Sequence, residues 1–475
     1  MHISAGRPLS WIRVLTTLAL LSGPSIVQAS GVEGRSGSSA GQPLAVFRAR
    51  RAALIEAASA EARQCTGKEA KPIIVITGAV VGELAGKYRQ DNDFCYLTGV
   101  EAPHASLILI PDAAGVGETL YLPPRDPETE RFDGPQPEPD AETARLLGFG
   151  RVESTTKFLA DLFTLVGDPL KRIKRPGKVV LFVVQPEGRG LEEPGSGAAL
   201  VRILRDGAPT TPIRDILPLL HEMRRIKSPP EISLLRRAIE ITGEAQAEVA
   251  RSIRPELYEY QLEGRIVGAF LAGGAMRAGF PSIVGSGPNA TVLHHMENNR
   301  RMGDGELVVC DIGAEYRYYT ADITRTYPTS GTFTPRQRAV YQLVLDVQSD
   351  AAAQFQIGVS TLDSMHRRAV EHLKSSELRA RDSEGVERTM DAFFTHGLGH
   401  YLGMDVHDVG DRTKPLSAGS VFTIEPGLYI PSEAIGVRIE DDYLVNESGL
   451  EKLSRAIPSE PDAVEKSIAA GRARP

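Results

Sequence analysis

Short hydrophobic runs alternate with stretches of helical pattern along the first half of the chain. Residues 46–65 are rich in alanine, leucine, arginine and glutamate, with no glycine or proline inside, which predicts a helix. Apolar runs bounded by turn residues predict strands at 72–76, 106–110, 119–122 and 179–184. Because strands and helices alternate here, we expect an α/β domain over residues 44–215.

The pattern changes at the segment Ser228-Pro229-Pro230-Glu231, which indicates the start of a helix. Ser228 suits the N-cap, the prolines suit the first turn and Glu231 complements the helix dipole, so a long helix is predicted over 231–251. After Pro281, glycines separate apolar runs that predict further strands and helices. The strands are placed at 282–285, 307–313, 318–327, 421–429 and 437–445, and the helices at 336–353 and 361–373. This order predicts an α+β domain over 216–458, followed by a polar tail at 459–475.

Composition narrows the class of protein. The 475 residues are 41% hydrophobic and 24% charged, which is typical of a folded protein with two or three domains. The formal net charge of -7 gives no indication of binding to nucleic acid or to anionic membranes, so we expect neither as a partner. The three cysteines, Cys65, Cys95 and Cys310, are too few for a disulfide framework, although a single Cys65–Cys95 pair stays open.

The N-terminal segment has the pattern of a secretory signal peptide. Arg7 and Arg13 precede an apolar run at 14–21, Pro24 ends that run, and small residues allow cleavage before Ser30. We therefore expect residues 1–29 to be removed, residues 30–43 to form a linker, and the protein to be exported to the periplasm or secreted. The alternative is a retained anchor, but the run is shorter than the roughly 20 residues of a membrane span.

Four acidic residues lie inside or at the end of apolar, strand-like runs: Asp311, Asp322, Glu425 and Glu440. A buried carboxylate without a partner is costly, so each needs a cation or several hydrogen-bond donors. A glycine-containing connection separates Asp311 from Asp322, and another separates Glu425 from Glu440. Two hairpins can therefore bring all four carboxylates together.

Two explanations for these acids remain open on the pattern alone. In the first, two divalent metal ions cancel the charge of the four carboxylates, and the oxygen-rich ligand set favours Mn²⁺ over soft metals. Two such ions about 3.5–4 Å apart can hold a bridging hydroxide as the nucleophile at neutral pH. In the second, the acids end strands and pair with Arg325 and Arg438.

Two short stretches, 293–298 and 396–408, contain five of the ten histidines. His396 and His400 have the spacing of a zincin pair, but no glutamate follows His396 and two glycines interrupt a helix there, which disfavours that class. One metal ligand with neighbours that bind substrate or carry protons fits better. Turn histidines bonded to the backbone remain the structural alternative.

The motifs around these residues resemble a known family. They are DIG at 311–313, ADITRTYP at 321–328, HGLGHYLGMDVHDVG at 396–410, TIEPGLYI at 423–430 and GVRIEDD at 436–442, with further matches at 224–238 and 282–298. The sequence strongly resembles the aminopeptidase P and prolidase branch of the pita-bread metallopeptidases. Residues 87–111 are similar to the aminopeptidase P N-terminal domain. The resemblance implies an α+β pita-bread catalytic domain preceded by an α/β domain.

The resemblance also implies roles for individual residues. It makes five residues the ligands of a dinuclear metal site: Asp311, Asp322, His400, Glu425 and Glu440. Glu425 would also take a proton from the bridging water. Substrate-binding and catalytic helper roles fall on His294, His407, His396, Arg438 and Tyr429. Asp93 would approach the free amine of the substrate, often across a subunit contact, so we expect a homodimer or homotetramer.

The implied activity is removal of the N-terminal residue from peptides with proline in the second position. An Xaa-Pro amide has no N–H, so a site that grips that hydrogen cannot process it, whereas a two-metal site can polarise the carbonyl and attack it with a bridging hydroxide. A prolidase-type Xaa-Pro dipeptidase is the alternative, and a non-catalytic pita-bread peptide-binding protein is a more distant one. Cys95 stands where the family often has a large aromatic residue and His295 where tyrosine is common. These departures bear on subsite shape and peptide length preference.

Overall fold

The computed structural model describes residues 38–67, 69–80, 87–113, 115–167, 178–185 and 197–473. The chain divides into two compact units, one up to Leu220 and one over His221–Pro475, shortly after the predicted boundary at 215. The predicted signal peptide at 1–29 and most of the linker at 30–43 lie outside the described residues. Among the helices that are described, none combines the length and apolarity needed to cross a membrane.

The strands of the first unit are β1 (Ser38–Ser39), β2 (Gln42–Pro43), β3 (Lys71–Thr77), β4 (Ser106–Asp112), β5 (Gly115–Leu122), β6 (Arg151–Ser154), β7 (Val179–Val183) and β8 (Ile213–Asp215). Strands β3 to β8 form a mixed six-stranded sheet with the order β6-β5-β4-β3-β7-β8. Its helices are α1 (Leu44–Thr66), α2 (Asn92–Thr98), α3 (Pro127–Asp133), α4 (Ala141–Leu147), α5 (Phe158–Val166) and α6 (Gly197–Gly207), with a 3₁₀ turn at Thr155–Lys157. The first predicted helix and the four predicted strands are thus confirmed. Cys65 and Cys95 are both free thiols, so the open disulfide pairing is not formed.

The second unit begins within helix α7 (Leu217–Arg225) and combines helices with antiparallel strands. Its other helices are α8 (Pro229–Ser252), α9 (Glu259–Ala272), α10 (Pro335–Ala353), α11 (Leu362–Ser375) and α12 (Pro461–Arg472), with 3₁₀ turns at Gly287–Thr291, Met390–Phe393 and Pro431–Glu433. The predicted start of α8 is confirmed, because the Glu231 carboxylate accepts a hydrogen bond from the Ser228 backbone N–H at 2.9 Å.

The strands of the second unit form several small antiparallel sheets. They are β9 (Arg277–Ala278), β10 (Ile283–Ser286), β11 (Leu307–Ile312), β12 (Ala314–Tyr316), β13 (Tyr319–Thr320), β14 (Ile323–Pro328), β15 (Arg379–Arg381), β16 (Glu387–Thr389), β17 (Val421–Ile424), β18 (Gly427–Ile430), β19 (Ile435–Arg438), β20 (Asp441–Asn446) and β21 (Gly449–Lys452). The sheet β10-β11-β14 and the paired strands β17-β20 and β18-β19 carry the acidic residues singled out above. Helix α8 contacts β12, β13 and β14, and helix α10 contacts β17, β18 and β19.

Three predicted strands are each broken into two, which corrects the prediction of continuous strands at 318–327, 421–429 and 437–445. The breaks fall at Asp322, Glu425 and Glu440, the residues proposed as ligands. At two of them the backbone N–H leaves its hairpin: that of Glu425 bonds to Leu398 O at 2.8 Å and that of Glu440 to Thr324 O at 3.1 Å. The registers on the two sides of the break, Ile424 with Asp441 and Gly427 with Arg438, place Glu425 opposite Glu440 across the hairpin.

The predicted polar tail at 459–475 is wrong for most of its length. Helix α12 occupies Pro461–Arg472, and its apolar side chains Val464 and Ile468 are buried against the rest of the unit. Their spacing of four residues places them on one face of the helix. The single apolar stripe is short, and the polar residues around it conceal the pattern.

Candidate metal centre

The structure brings the five predicted ligands to one place in the second unit. Asp311 lies near the end of β11, and Asp322 immediately precedes β14. Glu425 immediately follows β17 and Glu440 immediately precedes β20, so the two broken hairpins present one carboxylate from each strand. His400 belongs to the loop beside β17, where its N–H bonds to Thr423 Oγ1 at 3.1 Å and Thr423 N–H bonds back to the His400 carbonyl at 2.9 Å.

The close approach of the His400 loop to β17 depends on the residue before it. A Cβ at Gly399 would lie 1.9 Å from the Thr423 carbonyl oxygen, so only glycine fits there. The sequence HGLGH therefore sets the backbone path that delivers the imidazole, and its glycines exclude the regular helix of a zincin pair.

The imidazole of His400 faces three carboxylates. Its Nε2 lies 3.3 Å from Asp322 Oδ2, 3.5 Å from Glu425 Oε1 and 3.9 Å from Glu440 Oε1. Its Nδ1 lies 3.0 Å from the Tyr401 carbonyl oxygen, which makes Nδ1 a donor and leaves Nε2 to face the acids. Asp322, His400 and Glu440 offer ligand atoms within 4.8 Å of one another, a spacing that suits one metal ion.

The carboxylates have unused acceptor capacity in a buried setting. Asp311 Oδ1, Asp322 Oδ1 and Glu440 Oε1 are buried with no hydrogen-bond partner in the described part of the chain. Burial, together with repulsion from neighbouring carboxylates, raises the pKa of Asp322 and of Glu440 well above the ordinary range. Burial also raises the pKa of Glu425. Orphaned oxygens and mutually repelling acids are what divalent cations would satisfy, so the residues present fit the group.

Arg438 neutralises part of this charge, as one open explanation anticipated. Its Nη2 donates to Asp311 Oδ2 at 2.7 Å, and its Nε donates to Thr324 Oγ1 at 3.2 Å. Arg325 instead pairs with Asp441 at 2.7 Å, with both side chains fully buried. The explanation by arginine pairing is therefore wrong for Arg325, and Arg438 reaches only one of the four acids directly.

Two further predicted residues, His396 and Tyr429, lie beside Arg438. His396 Nδ1 donates to the Gly397 carbonyl, and its Nε2 lies 2.8 Å from the Tyr429 hydroxyl, which also receives Arg438 Nη1 at 2.8 Å. Burial, assisted by the Arg438 charge, lowers the pKa of His396 to about 4. These contacts form a relay from Asp311 through Arg438 and Tyr429 to a neutral imidazole.

Two more of the predicted histidines, His407 and His294, are neighbours of this centre. The His407 and His400 ring centroids are 4.1 Å apart. Partial burial lowers the pKa of His407 to about 4, and the neighbouring His400 and His294 add to the effect, so the imidazole is neutral at neutral pH although the residue keeps an exposed surface. His294 is exposed. Asp93 lies in α2 of the first unit, where it is buried, and its role in substrate binding stays a prediction.

The chain is similar to known proteins over most of its length. The model of metallopeptidase family M24 matches residues 233–447, and that of the aminopeptidase P N-terminal domain matches residues 47–171. The Xaa-Pro aminopeptidase of Escherichia coli K12 is 37% identical over 409 residues, covering 81% of this chain and 90% of the relative. The chain belongs to the aminopeptidase P family. The enzyme of Haemophilus influenzae with the same name is 34% identical, covering 78% of this chain and 86% of the relative.

The solved structure of E. coli aminopeptidase P with the inhibitor Pro-Leu has a TM-score of 0.78 at 33% identity, covering 92% of this chain and 100% of that chain. The predicted fold class is confirmed: a catalytic pita-bread domain of α+β type follows the aminopeptidase P N-terminal domain. As a member of this family the protein is a metallo-aminopeptidase, a hydrolase, and family membership implies divalent metal ions.

Sequence reasoning missed two polar residues that support the predicted ligands. Thr324 Oγ1 donates to Glu440 Oε2 at 2.7 Å while it accepts from Arg438. Asp442 is fully buried, and its Oδ2 accepts from the Asp322 backbone N–H at 3.3 Å. Both lie inside the quoted motifs ADITRTYP and GVRIEDD, and the alternation of side chains along a strand places Thr324 with Asp322 and Asp442 with Glu440.

Sequence reasoning also missed a buried ion cluster that anchors the His407 loop. Asp408, next to His407, accepts from Lys227 Nζ at 2.8 Å and from Arg224 Nη2 at 2.6 Å. Although burial raises the pKa of Asp408, the two cations hold it below its usual range. Lys227 and Asp408 side chains are each only 1% exposed. The cluster thus fixes the loop that carries His400 and His407 to the start of the second unit.

We expect Lys227→Met to lower the free energy of unfolding of the catalytic unit by about 3 kcal/mol. Removing one partner from a buried ion cluster leaves charge buried with less compensation, at a cost of about 3–5 kcal/mol. Urea unfolding followed by fluorescence or circular dichroism measures the loss.

Lys414→Met is the matched control, because Lys414 pairs with Glu222 at 3.0 Å with side chains 51% and 49% exposed. An exposed pair contributes about 0–1 kcal/mol. Equal effects of the two substitutions would contradict the anchoring role of Lys227.

Proposed function

We propose that this aminopeptidase removes the N-terminal residue from peptides with proline in the second position. The observation that carries the proposal is the buried set of four carboxylates with orphaned oxygens, three of which face His400, beside His407 and His294. The relatives that match 81% and 78% of this chain carry the name Xaa-Pro aminopeptidase.

We propose a site for two divalent ions, with Mn²⁺ as the resident metal. Asp311, Asp322, His400, Glu425 and Glu440 would hold them, because four carboxylates balance two divalent charges and oxygen ligands favour Mn²⁺. When bound, two such ions supply hydroxide at neutral pH and polarise the scissile carbonyl. Glu425 is the proton acceptor in this proposal, since it is one of the buried carboxylates of the site and burial raises the pKa of its carboxyl group.

The remaining side chains bind and orient the peptide. Neutral His407 can donate a hydrogen bond to an oxygen that gains charge during attack, and the exposed His294 can contact the peptide from the neighbouring loop. Arg438 holds Asp311 in place by a hydrogen bond, and Tyr429 and His396 in turn hold the Arg438 side chain.

The chemistry suits an Xaa-Pro bond. The amide nitrogen of proline carries no hydrogen, so a site that grips a substrate N–H cannot use it. Attack on the carbonyl needs no such contact, and a protonated Glu425 can return its proton to the leaving proline nitrogen. We further propose that the protein is exported after removal of residues 1–29, and that Asp93 senses the free amine within a homodimer or homotetramer.

Hydrolysis of an Xaa-Pro-Yaa tripeptide and of the matching Xaa-Pro dipeptide tests the proposal. We expect the mature protein, residues 30–475, to release the first residue of the tripeptide, with activity lost in EDTA and restored by Mn²⁺. Cleavage of the dipeptide alone would assign a prolidase-type activity instead. Metal binding without turnover of either peptide would contradict the proposed function.

A further inference from the structure

Two buried glutamines lie behind the metal centre, one on each of the helices that pack against the broken hairpins. Gln246 belongs to α8 and Gln348 to α10, and each is 1% exposed. A glutamine amide has two donor hydrogens in a fixed planar geometry, so one side chain can hold two acceptors at a set distance. Both glutamines use the amide in this way.

Gln246 bridges the hairpin that carries Asp311 and Asp322. Its Nε2 donates to the Cys310 carbonyl at 3.2 Å and to the Ile323 carbonyl at 2.8 Å. These carbonyls belong to the residue before Asp311 and the residue after Asp322. The Tyr327 hydroxyl donates to Gln246 Oε1 at 3.0 Å, which fixes which end of the amide faces the strands.

Gln348 bridges the second hairpin in the same manner. Its Nε2 donates to the Ile424 carbonyl at 2.9 Å and to the Ile439 carbonyl at 3.1 Å. These are the residues immediately before Glu425 and Glu440. Ile439 N–H still bonds to the Pro426 carbonyl at 3.3 Å, but Pro426 has no N–H to offer in return, so Gln348 supplies a donor to the Ile439 carbonyl where the opposite strand cannot.

We propose that Gln246 and Gln348 are positioning residues, each fixing the separation of one pair of metal-ligand carboxylates through the backbone next to it. The two contacts are equivalent although the glutamines lie on different helices, and in both the bridged carbonyls adjoin the ligands themselves. Outer contacts that orient ligands set metal affinity as well as geometry. The inference rests on the metal centre of the proposed function, but its test needs no substrate.

The test compares Gln246→Met and Gln348→Met, which keep side-chain length and lose the donors, with Gln337→Met. Gln337 is also buried, at 7% exposure, and its Nε2 donates to the Gly305 carbonyl at 2.8 Å, away from the ligands. Calorimetric titration of the metal-free full-length proteins measures Mn²⁺ affinity. Visible absorption of the Co²⁺-loaded proteins reports coordination geometry, and thermal unfolding reports stability.

We expect Gln246→Met and Gln348→Met to bind Mn²⁺ about 10–100-fold more weakly than the wild type and to change the Co²⁺ spectrum. Gln337→Met should keep the wild-type affinity and spectrum even where its thermal stability falls. If all three variants lose only stability, the glutamines are structural and the proposal is overturned. Should a methionine variant not fold, Gln246→Asn and Gln348→Asn replace it, because their shorter amides cannot span both carbonyls. The same measurements of Mn²⁺ affinity, Co²⁺ spectrum and thermal stability then decide whether the glutamines position the ligands.

Failure of the positioning proposal can be distinguished from failure of the proposed function. A wild-type protein that binds Mn²⁺ but leaves Xaa-Pro peptides intact contradicts the peptidase proposal, while the affinities of the variants still decide the role of the glutamines. A wild-type protein that binds no divalent ion overturns the positioning proposal.

Discussion

The Glu425→Gln variant is expected to hydrolyse an Xaa-Pro tripeptide about 10³-fold more slowly than the wild-type protein. The amide keeps the shape of the side chain but cannot accept the proton, and loss of a general acid–base group costs about 10²–10⁴-fold in rate. Loss of one of four carboxylate charges also weakens retention of the metal ions. We expect this loss of rate to appear in kcat, measured with saturating Mn²⁺, with little change in KM.

Glu447→Gln is the control for this prediction, because Glu447 is an exposed carboxylate on the loop after β20. Its activity should match that of the wild type. A Glu425→Gln protein that holds its metal and keeps at least a tenth of wild-type kcat would contradict the role of Glu425 as proton acceptor.

The ligand set could be predicted from the sequence because its chemistry is local. Because burying a carboxylate is costly, an acid inside an apolar strand stands out in the sequence. The four acids with this pattern are Asp311, Asp322, Glu425 and Glu440. The structure brings them together, although their identity as metal ligands stays a prediction. The strand breaks at Asp322, Glu425 and Glu440 could not be predicted, because a bend of the backbone leaves hydrophobic alternation unchanged.

Long-range polar contacts leave still less trace in the sequence. Gln246 reaches a carbonyl 64 residues away and Gln348 one 76 residues away, and neither residue belongs to a recognisable motif. Arg325 and Arg438 look alike as strand arginines, yet one pairs with Asp441 and the other with Asp311. Only the twist and stagger of the sheets decide which acid each guanidinium meets.

Removal of the metal ions is expected to lower the thermal midpoint of the catalytic unit by roughly 5–10 °C at neutral pH. A ligand present at 100 times its dissociation constant adds about 2.7 kcal/mol of stability. For a unit of this size, each 1 kcal/mol shifts the midpoint by about 2–4 °C. Without the ions, the carboxylates around His400 repel one another in a buried site, so the metal-free unit should unfold first.

This stabilisation should grow as pH rises from about 4 towards neutral. Burial and neighbouring carboxylates raise the pKa of Asp322 and Glu440 in the metal-free protein, whereas in the unfolded chain these groups titrate near pH 4. The metal-free folded state therefore binds protons that the unfolded chain has released, and it loses stability as pH rises through the raised pKa values. Metal ions replace those protons, so the gap between the two forms widens over the same range.

Scanning calorimetry in EDTA and in Mn²⁺, at a series of pH values, measures that gap, and Asp322→Asn tests its origin. The variant lacks one of the raised carboxyl groups and one ligand of the group Asp322–His400–Glu440, so its midpoint should respond to Mn²⁺ much less at neutral pH. Glu447→Gln should respond as the wild type does. A gap that narrows as pH rises would mean that the buried acids are neutralised within the protein, by Arg438 and by hydrogen bonds, and that no metal ion is needed to hold them together.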